Sequence, residues 1–173
     1  MWAGCGGPAA LLHCAMTDDP NHPCVACAIA RGDLRPPGGV LWCGDGLLLH
    51  GLAGATPIAG WSVLTTARHA RALDDLDAAE LAAVGPAAAR AMRAQRQALG
   101  AEHVYAFALG DVLHHFHLHL VPRFADTPER LRGRRCLDAA PGEARPAAEI
   151  EAGAEAVRRA LGYTPTLSGS ERG

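Results

Sequence analysis

Three histidines alternate with apolar residues in one stretch, where His115, His117 and His119 are separated by Phe116 and Leu118. Because a β-strand turns successive side chains to opposite faces, a strand here places the imidazoles on one face, about 6–7 Å apart, and the apolar side chains on the other. A helix would instead spread the imidazoles around most of a turn. The alternation therefore predicts a strand with one apolar face and one face of three histidines.

Imidazole can act as a nucleophile, as a general acid or base, or as a metal ligand, all near neutral pH. A single histidine is often merely solvated or satisfied, but that explanation is poor for three histidines in register on one face. Histidines at alternate positions of a strand can also offer two or three ligands to zinc. The stretch thus predicts either a histidine nucleophile or a metal site, and both interpretations stay open at this point.

Two of the six cysteines form a CxxC motif, Cys24 and Cys27. A lone CxxC can be half of a zinc site, a redox pair or a chance spacing. Because the chain has no second CxxC and no Trp-Cys-Gly-Pro-Cys pattern, a redox role is weakly supported. If zinc is bound, two more ligands must come from elsewhere in the chain.

The length of 173 residues predicts one domain with room for a hydrophobic core. The net charge of −2 gives no strong attraction to nucleic acid or membranes. No apolar run approaches the roughly 20 residues of a membrane span. Because the first residues also lack the pattern of a signal peptide, we expect a cytoplasmic protein with reduced cysteines and no nucleic-acid or membrane partner.

The two ends of the chain differ in composition from its centre. Residues 1–15 are rich in Gly, Ala and Cys without a pattern and predict a disordered N-terminal extension. Residues 164–173 are small and polar and predict a flexible tail. A single domain is therefore expected over residues 16–163.

Short apolar runs bounded by turn residues predict the strands that must position the histidines. Gly44-Asp45-Gly46 joins the first two runs and indicates a hairpin. Gly110-Asp111 predicts the turn ahead of the histidines. Pro122 lacks an N–H group and predicts the end of strand pairing. The predicted strands are 40–43, 47–50, 61–66, 104–109 and 115–121.

One long helix is predicted from Asp77 to Leu99, with a capping box formed by Asp77 and Glu80 and with Gly100 as its stop. Gly85-Pro86 predicts a kink or a break within it. Beyond the histidines, the chain predicts an extended segment at 125–146 and a surface helix at 147–161. Strands on both sides of one long helix predict an α+β fold with an antiparallel sheet.

The pattern His-φ-His-φ-His-φ-φ, where φ is apolar, followed by Pro122-Arg123, resembles the signature of the histidine triad (HIT) family, whose members hydrolyse or transfer nucleotides. The resemblance spans roughly Cys24 to Phe124. It includes the CxxC, which lies where many bacterial members carry zinc ligands, and Thr66–His69, which is similar to the family's Pro-Lys/Arg-x-His segment. It implies a HIT-like fold with an antiparallel sheet of about five strands, one long helix and a C-terminal helix, in a homodimer.

The resemblance also implies a role for each histidine of the triad. His117 would attack the α-phosphorus of a nucleotide and cleave a P–N or P–O–P bond through a nucleotidyl-histidine intermediate. This is the chemistry of a nucleoside phosphoramidase or a dinucleoside polyphosphate hydrolase. His119 would contact the phosphate oxygens and stabilise the transition state, and His115 would lie at the rim of the site.

A metal site follows from the resemblance as well. In zinc-bearing bacterial relatives, the first triad histidine and the histidine of the Arg-His segment join the two cysteines. The resemblance therefore implies a structural zinc ion held by a closed Cys₂His₂ set, with no cofactor needed for the phosphoryl chemistry. The corresponding ligands in this chain are Cys24, Cys27, His69 and His115.

Three departures from the family pattern concern the substrate. Trp61 stands where the family has a supporting histidine, and its indole offers a donor but no acceptor. The segment 48–51 lacks the carboxylate that binds the ribose hydroxyls, a role in which His50 is a candidate substitute. Asp111, the remaining candidate for substrate contact, lies in a shortened phosphate loop that lacks the usual amide and hydroxyl donors, and an ionised Asp111 would repel a phosphate.

Two alternatives to a nucleotide hydrolase or transferase stay open. The departures around the substrate motivate a weakly catalytic or non-catalytic HIT-fold protein that binds nucleotide or zinc. A metalloenzyme using His115, His117 and His119 as ligands of a catalytic metal is an alternative from another class.

Overall fold

The elements that the sequence predicts are present in the computed structural model, which describes residues 24–164. The predicted extension at 1–15 and nearly all of the predicted tail lie outside the described residues. The helices are α1 (Val25–Arg31), α2 (Ala78–Leu99) and α3 (Ala147–Ala160). The strands are β1 (Val40–Gly44), β2 (Leu47–Gly51), β3 (Ser62–Thr66), β4 (His103–Phe107) and β5 (His117–Arg123). The predicted α+β class is confirmed.

The five strands form one antiparallel sheet in the order β1-β2-β3-β5-β4. The predicted hairpin joins β1 to β2 through Asp45 and Gly46, whose φ angles are 53° and 75°. Positive φ at both central residues is what a two-residue hairpin turn of the right twist requires, and Asp-Gly supplies it at low cost. Strand β5, which carries two of the triad histidines, lies between β3 and β4 and pairs with both.

The sheet has two chemically different faces. Leu49, Leu64 and Leu120, each at most 1% exposed, belong to the main core with residues of α2 and α3. On the opposite face, His50 is the cross-strand partner of Val63, and Val63 is the partner of His119. Cross-strand partners point to the same side of a sheet. The histidines are therefore held on the face that the long helix does not cover.

The triad strand differs from its prediction at both ends. His115 lies just before β5 and does not extend the row of His117 and His119 along the strand. Pairing also continues through Pro122, which lies opposite Val104 of β4, so the predicted end at Pro122 is wrong. The pairing of β5 with β3 ends at Leu120, so Pro122 has a strand on one side, and the sheet tolerates its missing N–H there as it does at an edge.

The long helix α2 begins at the predicted capping box. The Asp77 side chain accepts hydrogen bonds from the Ala79 and Glu80 amides at 2.9 Å, and the Glu80 carboxylate accepts one from the Asp77 amide at 3.0 Å. The helix ends at Gly100, whose φ of 71° is left-handed, as predicted. Pro86 does not break the helix, because its missing N–H would have bonded to a carbonyl on the exposed side, where water can replace it.

After β5, helix α3 packs on the same face of the sheet as the long helix α2 and buries more of the apolar surface there. The predicted loop segment contains short 3₁₀ turns, and α3 packs against α2 and β1. Ala154 and Val157 of α3 are buried, so the predicted surface helix contributes one face to the core. Within residues 24–164, no helix combines the length and the apolar character needed to cross a bilayer.

Candidate metal centre and catalytic pocket

Four side chains from distant parts of the chain form a possible metal site. One donor atom from each of Cys24, Cys27, His69 and His115 lies within 4.8 Å of all the others. The Sγ atom of Cys24 lies 3.3 Å from Nδ1 of His115, and the Sγ atom of Cys27 lies 3.4 Å from Nδ1 of His69. Sulfur and nitrogen ligands of one tetrahedral zinc ion stand about 3.5 Å apart, so the donor set fits zinc.

His115 is oriented for metal binding by its second ring nitrogen. Nε2 lies 3.0 Å from the carbonyl oxygen of Thr66, which can only accept, so Nε2 carries the hydrogen. Nδ1 then presents its lone pair towards Cys24 and Cys27. Burial lowers the pKa of His115 to about 4, and this favours the neutral form that a metal ligand requires. A ligand histidine held by a carbonyl is typical of metal sites.

The four donors meet because three elements are anchored to one another. Cys24 precedes α1 and Cys27 lies in its first turn. Arg68 donates to the buried Glu80 at the start of α2, and this ion pair fixes the segment that carries His69. The backbone amide of Phe116 donates to the carbonyl of Ala70 at 2.6 Å, which brings the triad segment alongside. All four residues of the predicted set are therefore together.

His117 lines a cavity, and one of its two ring nitrogens is hydrogen-bonded to the backbone. Its Nδ1 lies 2.7 Å from the carbonyl oxygen of His115, so Nδ1 carries the hydrogen and donates it. Nε2 is left with a lone pair, and His117 lines the cavity. This is the protonation state that a nucleophilic imidazole needs.

His119 has the opposite tautomer. The indole Nε1–H of Trp61 can only donate, and it lies 3.1 Å from Nδ1 of His119, so the hydrogen of the neutral His119 ring is on Nε2. The ring is stacked on Phe107, with centroids 5.2 Å apart. Burial, followed by the proximity of His117 and His50, lowers the pKa of His119 to about 4. His119 is thus a neutral hydrogen-bond donor at neutral pH.

The cavity beside these histidines has a volume of about 410 Å³. Its walls come from α1, from the sheet and from the turn before the triad, and most of them are apolar. His50 lines it from β2, and Asp111 lines it from the turn, where its side chain is exposed. All the residues predicted to bind substrate, His119, Asp111 and His50, therefore border one cavity.

Trp61 is the functional contact that the sequence analysis missed. Its indole N–H was recognised as a donor, but the group that accepts this hydrogen bond was not predicted. Trp61 is 6% exposed and packs in the core, and it also determines the His119 tautomer. The contact of Phe107 with His119 was also missed, since only the β4–β5 register reveals it.

Replacing Trp61 with Phe tests this assignment. We expect the His119 ring to lose its fixed tautomer, because Nδ1 no longer receives a hydrogen bond while the ring stays packed. Two-bond ¹H–¹⁵N spectra would show the His119 nitrogens moving towards the averaged shifts of a mixed tautomer. Phe107→Leu is the control, since it removes the stacked ring and leaves the indole donor. Unchanged nitrogen shifts in Trp61→Phe would contradict the assignment.

The pH dependence of stability gives a second test. Burial lowers the pKa of His50 to about 4, whereas an unfolded histidine titrates near 6.5. Between these values the unfolded chain binds a proton that the folded chain does not, so the free energy of unfolding falls as the pH is lowered. His50 accounts for about 2–3 kcal/mol of this fall from pH 6.5 to pH 4.5.

Urea unfolding at the two pH values measures this contribution. Between the two pH values, the decrease in the free energy of unfolding should be smaller by about 2–3 kcal/mol in His50→Phe than in wild type. It should be the same as in wild type in His103→Phe, which replaces an exposed histidine. An equal fall in wild type and His50→Phe would show that His50 titrates normally in the folded chain.

The comparisons with known proteins concern the fold. No family model and no curated protein matches the chain. Among solved structures, a zinc-bound histidine triad family protein from Mycobacterium smegmatis aligns with a TM-score of 0.63 and 23% identity, over 81% of this chain and 94% of that one. A hypothetical histidine triad nucleotide-binding protein from Sulfolobus tokodaii aligns with a TM-score of 0.65 and 14% identity, over 80% and 92%.

A third solved structure points to the same architecture. A Hit-like protein involved in cell-cycle regulation from Bartonella henselae aligns with a TM-score of 0.59 and 18% identity, over 77% of this chain and 92% of that one. The chain therefore has the histidine triad fold, as its sequence predicts. The His-x-His-x-His segment of this chain lies at the centre of that fold, on β5 and just before it.

Proposed function

We propose that the chain is a HIT-like nucleotide hydrolase or transferase with His117 as its nucleophile. The observation that carries the proposal is the hydrogen bond from Nδ1 of His117 to the carbonyl of His115, which leaves Nε2 as a lone pair at the cavity. Nε2 attacks the α-phosphorus, and the leaving group departs with the electron pair of its bond to phosphorus; an amine leaving group also takes up a proton from water. The nucleotidyl-imidazole is then cleaved by water or another acceptor.

The His115 carbonyl supports this step as charge develops. Attack through Nε2 makes the His117 ring positive while Nδ1 keeps its hydrogen. The carbonyl oxygen that accepts this hydrogen at 2.7 Å stabilises the positive ring. His119 carries its hydrogen on Nε2 and can donate it to a non-bridging oxygen of the phosphate that His117 attacks.

The charges around the cavity favour one class of substrate. No arginine is among the described residues that line the cavity, and the chain contains no lysine. Asp111 adds a negative charge at the rim. A polyphosphate would therefore meet no cation, whereas a nucleoside phosphoramidate carries a single negative charge. We favour the P–N compound over a dinucleoside polyphosphate as the substrate.

We also propose that Cys24, Cys27, His69 and His115 hold a structural zinc ion. Four protein ligands close the coordination sphere, so the ion would cross-link α1 to the start of β5. The fit of the donor distances and the zinc-bound neighbour support this proposal. The homodimer, the cytoplasmic location and the domain limits at residues 16 and 163 stay predictions of the sequence.

The proposal is tested by trapping the intermediate. The protein is mixed with adenosine 5′-phosphoramidate, quenched within milliseconds at alkaline pH and digested for mass spectrometry. We expect a nucleotidyl group on the peptide that contains His117. A group on another residue would contradict the mechanism, and tight binding without turnover would support the non-catalytic alternative.

The orientations of the three triad rings do not favour the alternative of a catalytic metal held by His115, His117 and His119. Nδ1 of His115 points to the cysteines, Nδ1 of His117 donates to a carbonyl and Nδ1 of His119 accepts from Trp61. Within residues 24–164, the group of donor atoms close enough to share one metal ion includes His115 but neither of the other two triad histidines.

A further inference from the structure

Hydrolysis of a nucleotidyl-histidine releases a proton, and a group in the cavity must accept it. When water replaces His117 on phosphorus, the imidazole departs as a neutral ring, because Nδ1 has kept its hydrogen throughout. The attacking water must therefore lose its proton to another group. The polar side chains among the described residues that line the cavity are those of His50, Thr65, Asp111, His117 and His119.

The histidines of the cavity are unavailable as bases at this stage. In the intermediate, Nε2 of His117 is bonded to phosphorus and Nδ1 carries a hydrogen. Nδ1 of His119 already accepts from the indole of Trp61, and its Nε2 carries the hydrogen. Nδ1 of His50 donates to a backbone carbonyl, and its Nε2 atom is buried. None of the three rings therefore offers an accessible lone pair to the water.

Asp111 is the remaining candidate, because the hydroxyl of Thr65 is a far weaker base than a carboxylate. Asp111 directly follows Gly110 in the turn before the triad. Gly110 and His117 together line both the main cavity and a smaller one of about 220 Å³. The backbone that carries the Asp111 carboxylate therefore runs beside the nucleophile.

Contacts at both ends hold this turn near the reacting rings. Before the turn, Phe107 is stacked on His119, with centroids 5.2 Å apart. After it, Leu113 packs against the CxxC segment at the start of α1. Between these two contacts Val112 is 98% exposed, so the turn itself is not packed into the core. The exposed Asp111 side chain thus lies at the cavity where water can reach it.

We propose that Asp111 is the general base that activates water in the second step, so that the chain acts as a hydrolase. The carboxylate takes a proton from water as the water oxygen bonds to phosphorus. The bond from phosphorus to Nε2 of His117 breaks, and its electron pair restores the Nε2 lone pair. The nucleoside monophosphate leaves, and Asp111 returns the proton to solvent. This inference rests on the nucleotidyl-histidine mechanism proposed above.

Single-turnover kinetics of Asp111→Asn test the inference. The protein is mixed with adenosine 5′-phosphoramidate and quenched at alkaline pH over a series of times, and intact mass spectrometry gives the nucleotidylated fraction. The group should form on the variant at least as fast as on wild type, because Asn removes a charge that opposes the anionic substrate. Its decay should be about a hundredfold slower, which is a typical effect of losing a general base.

Two further variants and a second nucleophile separate catalysis from structure. Asp111→Glu should restore the decay rate to within about tenfold of wild type, because it keeps the carboxylate. Asp126→Asn, which changes an exposed carboxylate that does not line the cavity, should decay as wild type does. Hydroxylamine attacks phosphorus without help from a base, so it should discharge wild type and Asp111→Asn at equal rates. Slower discharge of the variant by hydroxylamine would show a distorted site and overturn the inference.

The remaining outcomes distinguish the base from the nucleophile. Equal decay of the nucleotidyl group in wild type and Asp111→Asn would overturn the inference and leave His117 as the nucleophile. If neither protein carried the group at any time, the result would contradict the proposed nucleotide function and the inference with it.

Discussion

Replacing His117 with Asn is expected to lower kcat for a nucleoside phosphoramidate by at least about a thousandfold. The reason is that Asn removes the Nε2 lone pair, the atom that forms the bond to phosphorus, while its amide can still donate to the His115 carbonyl. The fold should survive because the strand pairing of β5 with β3 and β4 is unchanged. The release of a fluorescent amine from the substrate measures the rate.

His114→Asn is the matched control for this experiment. His114 is the exposed histidine immediately before the triad, and its loss should leave kcat within about twofold of wild type. If His117→Asn kept wild-type turnover on every nucleotide substrate tried, the nucleophile assignment would be wrong. A comparable loss in both variants would point to a change in folding, which far-ultraviolet circular dichroism would detect.

If the four donors hold zinc as proposed, replacing Cys24 with Ser is expected to abolish zinc binding and to lower Tm by about 10 °C. A ligand present at a thousand times its Kd contributes about 4 kcal/mol to the folded state. A loss of this size shifts Tm by about 2–4 °C per kcal/mol in a chain of this length. Metal analysis by mass spectrometry and a thermal scan, each on the protein purified without chelators, measure the two effects.

Cys136→Ser provides the control for the metal content. Cys136 is a buried free thiol that packs beside Trp61 and Val121, away from the four donors. Its replacement can cost core stability, but zinc should remain at one ion per chain. Zinc that persisted in a Cys24→Ser, Cys27→Ser double variant and disappeared in His117→Asn would instead identify a metal held by the triad.

The parts of the fold that follow from local chemistry could be predicted from the sequence. The alternation around His117 predicted an extended strand, the Asp77–Glu80 pair predicted the start of the long helix, and Asp45-Gly46 predicted a hairpin turn. Each of these signals depends on residues that are close in the chain. The prediction that pairing ends at Pro122 was wrong, and the helix continues through Pro86 without a break. The effect of a missing N–H depends on whether a neighbouring strand or water lies on that side, which is a property of tertiary structure.

The sequence indicated candidate residues of the site but not the contacts among them. The alternating motif indicated His117, and the resemblance indicated the four metal-binding candidates, which the structure brings together. The contacts of Trp61 and Phe107 with His119 were not foreseen. Both depend on the register of three strands and on ring tautomers, and neither can be derived before the neighbours of each ring nitrogen are known.

The separation of the metal-binding candidates along the chain has a consequence for biosynthesis. Cys24 and His115 lie 91 positions apart, so a ribosome releases the first thiolate long before the last imidazole emerges. During that interval the two cysteines can hold a metal ion only if water or another molecule fills the remaining coordination positions. Complete coordination therefore becomes available only once the segment just before the central strand has been made, and metal uptake by the nascent polypeptide would report that moment.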